Sequence, residues 1–222
     1  MIPLRDSQRS YSTPYVTILL IVCNVLVFLF TVSLDPYSRN DFLTVYGMVP
    51  ARLRWDTLLT SMFLHGGWLH VIGNMWFLWI FGDNVEDVLG HWVYLLFYVL
   101  CGVAAALTQL MLSPDSRVPT VGASGAIAGV MGGYLVKFPH ARIVTLVFLF
   151  VFVTTVEVPA ALMLAFWFVM QLFSGVGTIG HSQISQGGVA WFAHVGGFLA
   201  GILLILMLPT KPAYRLRRDL SW

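Results

Sequence analysis

Six long, mainly apolar stretches separated by short polar segments constrain this chain more than any other feature. They run at about Tyr15–Leu34, Leu64–Phe81, Trp92–Leu112, Val121–Val136, Val158–Phe173 and Val189–Leu208. A helix needs about 20 predominantly apolar residues to cross a ~30 Å hydrocarbon core, where every backbone polar group must be satisfied internally. A water-soluble domain could not bury such a chain: 58% of its residues are hydrophobic and 10% charged, with mean hydropathy +0.82. The pattern predicts an all-α membrane protein, a six-transmembrane-helix bundle forming one domain over residues 15–208. Residues 1–14 are expected to be a short cytosolic N-terminus and residues 209–222 a basic cytosolic tail. The first stretch lacks a small-residue cleavage site, which favours a retained helix over a signal peptide. The longest connection, Asp35–Phe63, carries Pro36, Gly47 and Pro50 and is expected to be partly structured.

One segment is ambiguous. "RIVTLVFLFVFVTTVEV", Arg142 to Val158, holds a further apolar run of about 14 residues, which fits a re-entrant or interfacial segment better than a span. Glu157 and Pro159 separate it from the stretch that follows. Cations agree with six spans. With the N-terminus inside, Arg5, Arg9, Lys137, Arg142, Lys211, Arg215, Arg217 and Arg218 fall on the inner side. Arg39, Arg52, Arg54 and Arg117 fall outside, and that excess of inner cations obeys the positive-inside rule. Both termini are therefore expected inside, with the protein in the cell (cytoplasmic) membrane. A net charge of +2, with no basic patch outside the tail, argues against nucleic acid as a partner. Cys23 and Cys101 lie within apolar runs at a spacing that suits no metal site and read as small hydrophobes.

Polar side chains inside spans are costly in lipid, which makes them informative. "HGGWLHVIGNMW" opens the second span, and His70 and Asn74, four apart, share a face in its outer half. "TVGASGAIAGVMGGY" opens the fourth span with Ser124 at its head, and "WFAHVGGFLAG" opens the sixth with His194 about one turn in. All four residues thus converge at one depth near the outer surface. A serine becomes a nucleophile when a neighbouring base takes its proton, and His194 suits that role. Backbone N–H groups at a helix start lack intrahelical partners. An oxyanion forming there would meet the Ser124 N–H, with His70 and Asn74 as side-chain donors. No carboxylate lies in these helices to complete a triad, so the chemistry points to a Ser–His dyad without metal or cofactor.

Each motif has a plainer reading. Gly125-xxx-Gly129-xxx-Gly133 and Gly197-xxx-Gly201 are close-packing helix faces, and Ser124 alone would belong to the first. His70-xxx-Asn74 alone could be a structural polar pair. His65 is off the face of His70 and reads as a loop or capping residue. His91, His140 and His181 fall at helix ends or in loops and are expected to be solvated. Trp68, Trp92 and Trp191 lie where belt tryptophans are expected. It is the set, at one depth, that points to catalysis.

At these residues the chain resembles the rhomboid intramembrane serine proteases, over nearly its whole length. The resemblance implies that Ser124 of Gly122-x-Ser124-Gly125 is the nucleophile and His194 of Ala193-His194-x-x-Gly197 the base. It further implies that His70 and Asn74 assist the oxyanion and that Glu86, in "FGDNVEDVLG", is a structural glutamate. Gly122, Gly125, Gly129, Gly197 and Gly201 would support the site. Transmembrane protein substrates in the lipid bilayer, cut near the outer face where a helix unwinds, are the partners the resemblance implies. Two positions depart from the pattern. Ala128 stands where many relatives place an aromatic residue against the catalytic imidazole, and Arg54-Trp55 reverses a Trp-Arg pair of the first loop. Two other readings compete: a catalytically inactive rhomboid-like protein binding membrane clients, and a small transporter or proton relay using His70 and His194. The second lacks a paired intramembrane carboxylate and an inverted repeat.

Overall fold

The computed structural model describes residues 2–149, 152–178 and 190–212. In chain order the elements are β1 (Ile2–Asp6), α1 (Tyr15–Ser33), α2 (Pro36–Tyr46), α3 (Thr57–Thr60), α4 (Trp68–Leu89), α5 (His91–Leu112), α6 (Ser124–Lys137), β2 (Arg142–Leu149), β3 (Phe152–Pro159), α7 (Ala160–Thr178) and α8 (Trp191–Met207). The six apolar stretches become α1, α4, α5, α6, α7 and α8. Of these, α1 and α5 are long and apolar enough to cross a membrane by themselves; α8 and the Ala160–Gly175 part of α7 are apolar but shorter.

Helix α6 is the centre of the bundle. Its 14 residues, about 21 Å of helix, are buried without a break from Gly125 to Tyr134. That burial on every side follows from sequence: "SGAIAGVMGGY" offers small residues wherever a neighbour must approach. A Cβ on Gly197 of α8 would land on the Gly125 carbonyl oxygen, and one on Gly201 would land on that of Gly129. The two backbones therefore touch with no side chain between them, as in close membrane helix pairs.

Helix α4 continues to Leu89, two turns beyond the predicted run. Asp83, Asn84, Glu86 and Asp87 read as a boundary, yet the helix carries them because each finds partners. Glu86 is fully buried and accepts hydrogen bonds from the Val16 N–H (2.9 Å), the Thr17 N–H (2.8 Å) and the Thr17 hydroxyl (2.7 Å). It thereby caps α1, which has no side-chain cap of its own at Pro14. His91 Nδ1 lies 2.6 Å from the same carboxylate. The expectation that His91 is merely solvated is corrected accordingly.

The ambiguous segment is neither helical nor a simple loop. β2 and β3 pair antiparallel from Arg142↔Pro159 to Leu149↔Phe152, and β1 adds to β2 from Ile2↔Leu146 to Asp6↔Ile143. Among the described residues the fold is thus helical with one three-stranded sheet, where the sequence pattern suggested helices alone. The physical reason lies in composition: Val, Ile, Thr and Phe dominate this segment and favour a pleated surface. Residues 2–12 are correspondingly fixed. Asp6 accepts from the Tyr134 hydroxyl and from Asn84 Nδ2 (3.0 Å), the Trp76 indole N–H donates to the Pro3 carbonyl (2.6 Å), and Asp87 accepts from the Tyr11 and Ser12 N–H groups. His181, the tail cations Arg215, Arg217 and Arg218, and most of the 209–222 tail lie outside the described residues.

The first loop is built from α2, α3 and two single 3₁₀ turns, Pro50–Arg52 and Ser61–Phe63. Asp35 caps α2 by accepting from the Tyr37 and Ser38 N–H groups, and Pro36 takes the first helical position. More important for the site, the loop grips the strand entering α6. Met48 and Thr120 exchange backbone hydrogen bonds of 3.0 and 2.8 Å, and the Gly122 N–H donates to the Ser61 carbonyl at 2.9 Å.

Candidate active site

Ser124 is the first residue of α6, following Ala123 at its N-cap. Just before it, Gly122 adopts φ +128°, a conformation side chains rarely tolerate. A Cβ there would press on the His70 imidazole, 2.7 Å from Nε2, and would meet Asn74 Nδ2 at 3.6 Å. Gly122 therefore does two things at once: it turns the chain into α6 and lets the α4 side chains lie against its backbone. His70, Asn74 and Ser124 come together through that one residue.

On the other side, Ser124 Oγ lies 2.7 Å from His194 Nε2. Helix α8 holds His194 one turn from its start, 8% exposed, through the Gly197–Gly125 contact beneath it. The Gly66 N–H points at His70 Nδ1 from 3.4 Å, which leaves Nε2 as the protonated nitrogen of the neutral ring, facing Gly122. Asn74 is nearly buried, and its Nδ2 has no hydrogen-bond partner among the described residues. A buried, unpaired donor costs about 1–3 kcal/mol. Such a donor can bind an acceptor that enters the site.

These groups line a cavity of about 900 Å³ that Trp68, Gly73, Pro119 and Trp167 also help to form. Chemically, the arrangement offers a hydroxyl, a base in contact with it and donors converging from α4, without a charged side chain among them.

The residues that hold His194 were missed in the sequence. Gln171 of α7 places Oε1 2.7 Å from His194 Nδ1, and both groups are buried. The Trp167 ring lies 5.8 Å from the imidazole with a 38° tilt, and Trp191 meets it edge-on at 6.3 Å. A glutamine within "AFWFVMQLFSG" was the available signal, since an amide in an apolar span needs a partner. His65 lies in the loop before α4, as expected. It is 1% exposed and packs edge-on against the His70 ring at 5.0 Å.

Comparison with known families matches residues 52–211 to the rhomboid domain. Among known proteins, the chain is 29% identical over 206 residues to Rhomboid-like protein 11, chloroplastic, of Arabidopsis thaliana, covering 89% of this chain and 70% of the relative. It is 32% identical over 151 residues to Rhomboid protein 1, mitochondrial, of Saccharomyces cerevisiae, covering 66% of this chain and 40% of the relative. It is 34% identical over 127 residues to Rhomboid protease GluP of Bacillus subtilis, covering 55% and 24%. The chain thus spans less than half the length of the last two. Relatives named for chloroplast and mitochondrion lend no support to the expectation of a cell membrane; a membrane-embedded fold is what the family has in common. The match covers well over half of the sequence, and it shows that this chain belongs to the rhomboid family.

Proposed function

We propose that this chain is an intramembrane serine endopeptidase that cuts transmembrane protein substrates near the outer membrane face. The observation that carries this reading is the 2.7 Å contact between Ser124 Oγ and His194 Nε2 at a helix start. In the proposed reaction, the Ser124 oxygen attacks a substrate carbonyl carbon while its proton passes to His194 Nε2. The oxyanion is received by Asn74 Nδ2, His70 Nε2 and the Ser124 N–H. Collapse breaks the C–N bond, His194 returns the proton to the leaving amine, and water then frees the acyl group by the same path in reverse. Substrate helices must unwind to present a carbonyl, so glycine or other helix-weakening residues should mark cleavable segments.

A fluorophosphonate probe tests the reading directly. It is expected to attach to Ser124 in the wild-type protein and not in Ser124→Ala; equal labelling of both would refute the nucleophile. The oxyanion donors give a second expected result. Asn74→Ala and His70→Ala should each lower kcat by about 10²–10³-fold, the value of one such donor. An unchanged kcat in the double variant would make the pair structural.

The mechanism also constrains topology. We propose six helical crossings with both termini inside. The pairing of β2 and β3 supports this, because a sheet with an open β3 edge is a poor membrane span. One extra crossing through this segment would leave α8 starting on the side opposite Ser124. Single cysteines on a background lacking Cys23 and Cys101 are expected to label from the inner side at His140 and the outer side at His181. The same side for both would overturn the six-crossing arrangement.

A further inference from the structure

We propose that Gln171 is the positioning residue of His194, taking with Trp167 the place of both a third triad member and the aromatic residue missing at Ala128. The inference rests on the Ser124–His194 reading and adds to it. An amide oxygen accepts and cannot donate. Gln171 Oε1, 2.7 Å from Nδ1, therefore fixes the imidazole proton on Nδ1 and leaves the Nε2 lone pair aimed at Ser124 Oγ, also 2.7 Å away. That is the tautomer a general base requires, and the triad aspartate secures it elsewhere by the same geometry.

The choice of an amide has a physical reason. A carboxylate at this depth would be a buried charge, expensive unless paired, whereas a neutral amide selects the same tautomer without it. The location is equally specific. Trp167 and Gln171 are four apart on α7 and share a face, so one helix supplies both the wall beside the ring and the acceptor at its edge. Ala128 is fully buried and too small to do either. Among the described residues, His70 on α4 is the titratable group whose charge acts on His194. Helices α7 and α8 carry no charged residue, and Lys137 on α6 sits at the end away from Ser124.

The test uses the full chain in proteoliposomes with a single-span substrate, measuring kcat, KM and the acid limb of the pH–rate profile. Gln171→Leu keeps the volume and suits an apolar helix, so the bundle should still fold. It is expected to lower kcat at least about tenfold with KM within about twofold, because the ring loses its fixed tautomer. Gln171→Glu restores an acceptor and adds a negative charge beside the imidazolium. Its acid limb should move up by about 1–3 pH units, the effect of an opposite charge in contact, with activity recovering at alkaline pH. A mere packing role predicts the reverse order, with leucine tolerated and glutamate inactive at every pH. Wild-type protein that labels with fluorophosphonate, alongside a leucine variant with unchanged kcat and acid limb, overturns this inference alone. Wild-type protein that neither labels nor cleaves overturns the dyad, and the role of Gln171 with it.

Discussion

Ser124→Ala and His194→Ala are each expected to abolish cleavage, a fall in kcat on the order of 10⁴–10⁶-fold, while the protein stays folded in the membrane. The size follows from the division of labour in the site. In the proposed reaction, no acyl-enzyme can form without the hydroxyl, and without Nε2 the hydroxyl keeps its proton and remains a weak nucleophile. The two losses should not multiply, because members of a catalytic pair act as a unit. Kinetics of the single and double variants against one substrate decide the matter. Comparable residual rates in all three would bear out the pair. Substantial turnover by Ser124→Ala would end the assignment, whatever the geometry.

Much of this arrangement was legible before any coordinates. Run length located all six long helices, because an apolar stretch bounded by loops leaves the backbone no other economical way to satisfy itself. The rule that polar groups in lipid need a reason singled out His70, Asn74, Ser124 and His194, and the structure sets these four along one cavity. Three things escaped, each for a physical cause. The partners of Glu86, in the segment that closes α4 beyond its apolar run, lie on α1, about 70 residues away in sequence. No local pattern announces such a partner.

The sheet escaped because length was weighed and residue type was not. "RIVTLVFLFVFVTTVEV" is rich in β-branched and aromatic residues, and that enrichment is what separates a strand from a short buried helix. Even so, its pairing with β1 depends on residues more than 130 positions away. Gln171 escaped because attention went to groups that ionise. The same argument from cost in lipid applies to an amide, and it would have pointed to α7 as the source of a partner for His194.

The second large effect is expected at the crossing of α6 and α8. Gly197→Ala places a methyl group on the Gly125 carbonyl oxygen, with the Ala105 side chain close behind it. Backbone cannot yield as a flexible side chain does, so α8 must move outward or tilt. Overpacking of this kind costs about 1–3 kcal/mol where the surroundings relax, and more where they cannot. Function should suffer further than stability. Gly197 lies three residues from His194 on the same helix, so any displacement there is carried to the imidazole. A misplacement of about 1 Å in reacting groups is worth on the order of 10²-fold in rate. Gly201→Ala makes the matching collision with Gly129 one turn farther from His194, and should cost similar stability with a smaller loss of kcat. Thermal unfolding in detergent and kcat for the two variants separate the effects. Gly197→Ala with wild-type kcat would mean that His194 is positioned independently of this helix contact.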